Sequence, residues 1–215
     1  MNPRILVMAK APIPGLTKTR LRLTLASTAS LQEALIADTV DKARAIAPVT
    51  VAGTSTEHLG LISALLPTDV QLIPQPEGDL GQRMLAGVRH LFDEAPGPVI
   101  ILGTDAPTLS PAYIEQTIRT LEDHDISIIP SEDGGYVLIG LREVHEAIFT
   151  NIDWSTEHVH GQTLTRAEES GLSIHETKPW YDVDEPEDLQ RLRRDLSRDP
   201  EISPHTAAVL KDLPA

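Results

Sequence analysis

Two runs of this chain, Ile5-Leu6-Val7-Met8-Ala9 and Val99-Ile100-Ile101-Leu102, are apolar at every position. A strand with one wet face alternates polar and apolar residues, so an unbroken apolar run needs cover on both faces. Both runs therefore read as central strands of a sheet enclosed by helices. The rest of the chain supplies that cover. Ile36, Val40, Ala43 and Ala47 form one helical stripe within residues 31–47, and Leu80, Met84, Val88 and Leu91 form another. Ser110 and Pro111 read as an N-cap and first helical position, with Ile114, Ile118 and Leu121 facing inward. Residues 49–52, 70–73, 126–129 and 136–139 are strand-like, 172–176 extended, and 155–170 and 187–197 helical. Strands alternating with helices predict right-handed βαβ units, hence an α/β fold with a mostly parallel, Rossmann-like sheet.

The length of 215 residues suits one such domain, here 1–197. Residues 198–215, with Pro200, Pro204 and Pro214, read as a loosely packed C-terminal extension. With two Trp, three Tyr and two Phe, the core must be mainly aliphatic. The absence of Cys excludes a disulfide framework, a thiolate metal site and a Cys nucleophile. No apolar run approaches the ~20 residues that span a bilayer, and Ile5–Ala9 is too short for a signal-peptide core. A cytoplasmic protein without a membrane partner is expected. The formal charge of −14 repels nucleic-acid backbone. An anionic small substrate requires a local basic loop or a cation to offset that field.

In parallel sheets, ligands bind beyond the carboxyl ends of the strands. The loops after the two apolar strands, Lys10–Arg20 and Gly103–Thr108, should therefore form the site. The first holds Lys10, Lys18 and Arg20, stiffened by Pro12 and Pro14, with Gly15 permitting a sharp turn. Fixed cations and close backbone approach suit a phosphate chain; a solvated basic loop is the plain alternative. Mutual repulsion and few apolar anchors predict that this loop moves without ligand. It is not a P-loop, and no dinucleotide fingerprint occurs.

Asp105 follows the second apolar strand directly and can serve a hard cation such as Mg²⁺ or simply bond its own turn. In Asp182-Val183-Asp184-Glu185-Pro186, Pro186 suits the first helical position and makes Glu185 the N-cap. Asp184, ahead of the cap, is free to be a second metal ligand. Asp133-Gly134-Gly135-Tyr136 allows close approach to a ligand, or only a tight turn, and Asp79 can simply cap the helix that follows it. His158 and His160, two apart in a helix, share no face for a metal. No Gly-x-Ser-x-Gly elbow occurs.

Six motifs in order carry a resemblance. They span Lys10–Leu21, Gly78–Met84, Gly103–Leu109, Asp133–Leu141, Trp154–Thr156 and Asp182–Leu189. Together they resemble the glycosyltransferase-A-like family of the nucleotide-diphospho-sugar transferase superfamily, some of whose members are called arsenosugar-biosynthesis glycosyltransferases. The match covers about residues 3–195, and is more distantly similar to phospholactate guanylyltransferases and molybdenum-cofactor nucleotidyltransferases. Two departures stand out: Glu185 where Thr is usual, and no Gly-Pro-Ala before Asp133.

The resemblance implies a three-layer α/β/α fold with a mixed sheet. It implies Mg²⁺ or Mn²⁺ held by Asp105 and Asp184. It implies a nucleotide near Lys10, Gly15, Lys18 and Arg20, with Gly81 and Arg83 of the second motif beside it. Asp133, Gly134, Gly135 and Tyr136 would face the acceptor or sugar. The expected function is metal-dependent transfer from a nucleotide-diphospho-sugar to a small-molecule acceptor. Lys18 and Arg20 would stabilise the phosphates, and Asp133 would act as base. Nucleotidyl transfer of guanylyl or cytidylyl type, releasing pyrophosphate, uses the same parts. A nucleotide-binding module without turnover is the third reading, against which stands the presence of both Asp105 and Asp184.

Overall fold

The computed structural model describes residues 2–213. Seven strands form one sheet: β1 (Arg4–Lys10), β2 (Val49–Thr54), β3 (Gln71–Pro74), β4 (Val99–Gly103), β5 (Ile126–Pro130), β6 (Tyr136–Leu141) and β7 (Ile174–Glu176). Their order is β3-β2-β1-β4-β6-β5-β7, with the two fully apolar strands adjacent near the centre. Pairing is parallel except for β6, which runs antiparallel to β4 and β5. The exception has a simple cause. Only residues 131–135 separate β5 from β6, whereas a parallel crossover needs a dozen or more. The reversal brings the start of β6 to the edge where β1 and β4 end.

Among the described residues seven α-helices surround the sheet: α1 (Leu25–Arg44), α2 (Leu59–Ser63), α3 (Leu80–Glu94), α4 (Pro111–Thr120), α5 (Val159–Glu169), α6 (Pro186–Arg198) and α7 (Pro204–Asp212). Alternate side chains of β1 enter opposite layers. Ile5 and Val7 pack with Ile36 and Val40 on one face, and Leu6 packs with Met84, Val88 and Leu91 on the other. The three-layer α/β/α arrangement follows from that alternation.

The expected helix starts are visible as caps. Ser110 accepts from the Ala112 amide at 3.3 Å. Asp79 and Gln82 form a reciprocal capping box at 2.8 and 3.0 Å, a device worth about 1 kcal/mol. At α6, Asp188 accepts from the Glu185 amide at 2.8 Å, which fixes the turn without the usual Thr. The helix expected over 31–47 instead begins at Leu25, because Thr24 caps it through the Ser27 amide.

The loosely packed tail is a correction. Helix α7 buries Ala207 and Leu210 in a third cluster with Leu31, Leu35, Val183 and Leu192. Its first turn is capped by buried Asp38, which accepts from the amides of His205 and Thr206 at 3.0 and 2.8 Å. Prolines at 200 and 204 sit in first-turn positions, which tolerate a missing N–H. Ser203 and Lys42 both donate to the Pro107 carbonyl, tying this segment to the loop that carries Asp105. Burial pushes the Lys42 ammonium down to about 8, against the opposing pull of Asp38. No helix among the described residues is long and apolar enough to cross a membrane.

Candidate active site

A cavity of about 840 Å³ opens at the carboxyl edge of β1 and β4. Among the stretches that line it are four: the loop after β1, the loop after β4, the turn into β6 and the segment before α6. Each arrives for a local reason. The first two follow the central strands. The third is placed by the reversed direction of β6. The fourth is pinned by backbone bonds: Trp180 donates to Pro130 at 2.8 Å, Glu132 donates to Trp180 at 3.0 Å, and Val183 donates to Asp105 at 2.8 Å. This last bond sets Asp184 beside Asp105.

Lys18 lies between them. Its ammonium is 2.7 Å from Asp105 Oδ1 and 3.0 Å from Asp184 Oδ1. It also donates to the Val183 carbonyl at 2.7 Å. All three ammonium hydrogens are thereby used. The Lys18 side chain is only 4% exposed, whereas those of Asp105 and Asp184 are 42% and 40% exposed. Burial pushes the Lys18 ammonium down, but the charges and hydrogen bonds of Asp105 and Asp184 outweigh it and hold the ammonium above its ordinary value. Lys18 adopts a left-handed backbone with φ of 50°, uncommon outside Gly, Asn and Asp. The surrounding bonds over-determine that conformation.

The basic loop is better anchored than its sequence suggests, which corrects the expectation of few anchors. Leu21 is buried with Leu31, Leu35 and Val183. Thr17 donates to buried Gln32 at 3.1 Å, Gln32 donates to Thr104 at 3.3 Å, and Thr104 donates to Asp105 at 3.3 Å. This polar chain couples the position of Lys18 to that of Asp105 through the first two turns of α1. Lys10 and Arg20 are exposed on the cavity wall, and Arg20 stands 3.9 Å from Glu185.

At the other end of the cavity, Asp133 sits in the turn between β5 and β6. Its Oδ1 accepts from Ser131 and, at 3.1 Å, from the Gly135 amide. Gly135 and Tyr136 line the same wall. Tyr136 packs edge-on to Trp154 at 6.5 Å, and burial raises its phenol well above the ordinary range. The Asp-Gly-Gly segment is thus both a tight turn and a cavity wall.

Three expected nucleotide-site residues lie elsewhere. Gly15 forms the sharp turn, with φ of 80°, but is absent from the cavity lining. Gly81 packs under Trp154, where an added Cβ would stand 2.5 Å from the indole nitrogen. Arg83, two residues along α3, does not line the cavity either. The motif containing Gly81 serves helix packing and places Leu80 and Trp154, which do line it.

Asp182 is the principal residue missed from sequence. Burial first, then the charges of Asp133, Asp184 and Asp105, push its carboxyl up to about 7. The signal was present: Asp182 and Asp184 flank fully buried Val183 on an extended segment, so both face the opposite side. Asp182 therefore keeps its proton to about pH 7 when folded, but loses it near 3.9 when unfolded. Folding takes up that proton, and stability falls as pH rises through this window. Asp182→Asn is expected to raise the melting temperature at pH 8 in chelator and to change it little at pH 4. An equal shift at both pH values would contradict the assignment.

The donor set can be tested against a divalent cation. Oδ2 of Asp105 and of Asp184 receives no hydrogen bond from any described residue. Two carboxylates beside an open cavity fit Mg²⁺ or Mn²⁺, which take one or two carboxylates plus substrate oxygens and water. Among the described residues no group of three or more His, Asp or Glu could hold a metal by itself. Substrate would have to complete the coordination.

This architecture is the nucleotide-diphospho-sugar transferase fold. The chain superposes on a protein from Desulfovibrio desulfuricans G20, provisionally assigned as a nucleotide-diphospho-sugar transferase. The TM-score is 0.91 at 27% identity, over 98% of this chain and 94% of that one. Residues 20–156 match the family described as "Uncharacterized protein conserved in bacteria (DUF2064)", and the chain belongs to that family. It also resembles in fold a 4-diphosphocytidyl-2C-methyl-D-erythritol synthase from Anaerococcus prevotii DSM 20548. There the TM-score is 0.61 at 12% identity, over 90% of this chain and 96% of that one. A CMP:2-keto-3-deoxy-manno-octonic acid synthetase complexed with CTP gives a TM-score of 0.59 at 12% identity, over 93% and 100%. No curated protein matches in sequence.

Proposed function

We propose that the protein transfers a glycosyl group from a nucleotide-diphospho-sugar to a small-molecule acceptor, with Mg²⁺ or Mn²⁺ held by Asp105 and Asp184. The observation that carries this reading is the meeting of a cationic loop and two carboxylates in one cavity of a nucleotide-diphospho-sugar transferase fold. A bound dication neutralises charge gathering on the leaving nucleoside diphosphate. Lys10, Lys18 and Arg20 pair with the phosphates and hold them at the ends of β1 and β4. Asp133, whose Oδ2 receives no hydrogen bond from a described residue, accepts the proton of the acceptor hydroxyl. Gly135 and Tyr136 shape that end of the cavity, and Gly134 sets the turn that presents them. The acceptor oxygen then bonds to the anomeric carbon as the nucleoside diphosphate departs.

Nucleotidyl transfer is the second reading, supported by the likeness in fold to cytidylyltransferases. The parts are the same, but the leaving group is pyrophosphate. Thermal-shift screening of nucleotides and nucleotide sugars with Mn²⁺, followed by product analysis, separates the two. A ligand at 100 times its dissociation constant adds about 2.7 kcal/mol of stability. Release of a nucleoside diphosphate supports glycosyl transfer and release of pyrophosphate supports the second reading. If no member of the panel stabilises the protein, both readings fail. The acceptor, an arsenosugar precursor or another, is read from the same product analysis.

A further inference from the structure

The place a dication would take between Asp105 and Asp184 already holds a cation, the ammonium of Lys18. Resting on the reading that Mg²⁺ or Mn²⁺ joins these carboxylates, we infer that Lys18 is the resident cation of the free site and yields to the metal only when a diphosphate arrives to receive its ammonium.

Three features carry this. First, all three ammonium hydrogens are committed, to Asp105, Asp184 and the Val183 carbonyl. Lys18 can therefore touch a phosphate only by releasing one of them. Second, the Oδ1 atoms of both carboxylates are occupied by one nitrogen, so a free dication must compete with a tethered charge of the same sign only a few ångströms away. Third, Lys18 stands in a left-handed backbone conformation, with Arg22 in another at the far side of a single turn, Thr19–Leu21. Thr17 and Leu21, one on each side of Lys18, are anchored, so redirection of the side chain is confined to this turn.

A diphosphate changes the balance because it offers the ammonium equivalent anionic partners and brings oxygens for the metal. In the exchange the lysine moves from carboxylate to phosphate as the dication takes its place on the carboxylates. Metal and diphosphate then bind as a unit, and free metal is kept out.

Two measurements test this. Mn²⁺ binding followed by electron paramagnetic resonance, without any nucleotide, should be at least tenfold tighter in Lys18→Met than in the wild type. Methionine retains the apolar stem but removes the charge. Equal affinity in the two proteins overturns the guarding role while leaving the metal site intact. Failure of Lys18→Met to bind Mn²⁺ even with pyrophosphate present overturns the metal reading itself. The second measurement uses the unaltered protein. The chain has five lysines, so their ε-methylene carbon signals can be assigned. The Lys18 signal should stay in place on addition of Mg²⁺ alone and shift on addition of Mg²⁺ with pyrophosphate. Movement with Mg²⁺ alone, or none with both, overturns the exchange.

Discussion

Asp105→Asn is expected to lower affinity for a metal–nucleotide complex by about a hundredfold or more, while the protein stays folded. The amide keeps the shape and one acceptor oxygen but loses the charge that a dication requires. A unit charge pair at 4 Å is worth about 4 kcal/mol at an effective dielectric of 20, and about 1.4 kcal/mol is tenfold in affinity. Solvent reaches Asp105, so part of that energy is screened. Stability should fall by only about 1–2 kcal/mol, because Lys18 keeps Asp184 and the Val183 carbonyl as partners. Quenching of Trp154, which lines the cavity, reports binding, and thermal melting reports folding. A binding loss below threefold would assign Asp105 to its turn rather than to ligand.

Gly134→Ala should be the most damaging single methyl in the site. Gly134 has φ of 93°, and a Cβ there would stand 2.2 Å from the Glu157 carbonyl oxygen. That oxygen belongs to backbone, so it cannot swing away as a side chain would. The Gly134 carbonyl also accepts from the His160 amide at 2.9 Å at the start of α5. Strain and overpacking together should cost about 3 kcal/mol or more. In a chain of this size that lowers the melting temperature by roughly 6–12 °C. Asp133 and Gly135, on either side, would be displaced, so acceptor binding should weaken as well. A variant that melts within 2 °C of the wild type would show that the turn can open at little cost.

The parts of the fold that follow from local chemistry were legible in the sequence. Unbroken apolar runs placed β1 and β4 at the centre. Ser110-Pro111 and Glu185-Pro186 marked helix starts, and the loops after the central strands framed the cavity. Non-local features were not legible. The role of Gln32 depends on Thr17 and Thr104 both reaching it in space, and a lone glutamine in a helix gives no hint of that. The packing of α7 depends on Asp38, 167 and 168 positions from the two amides it accepts from, capping its first turn. Prolines that read as loop punctuation turned out to be first-turn residues of helices. At the site, Lys18 and the two carboxylates could each be named from their loops, but their union on one nitrogen could not. It arises from long-range bonds, the Val183–Asp105 backbone bond among them, that join segments far apart in sequence.

Asp105 and Asp184 are expected to form a phosphate site only with a dication. Asp133 and Glu157 add further negative charge to the cavity wall, and Lys10, Lys18 and Arg20 offset part of it. Calorimetric titration of the intact protein with the best-stabilising nucleotide, once in Mg²⁺ or Mn²⁺ and once in chelator, tests it directly. Binding is expected in metal, and at least tenfold weaker binding in chelator. Equal affinity in the two buffers would mean that the two carboxylates serve only to hold Lys18, and that the protein is not a metal-dependent transferase.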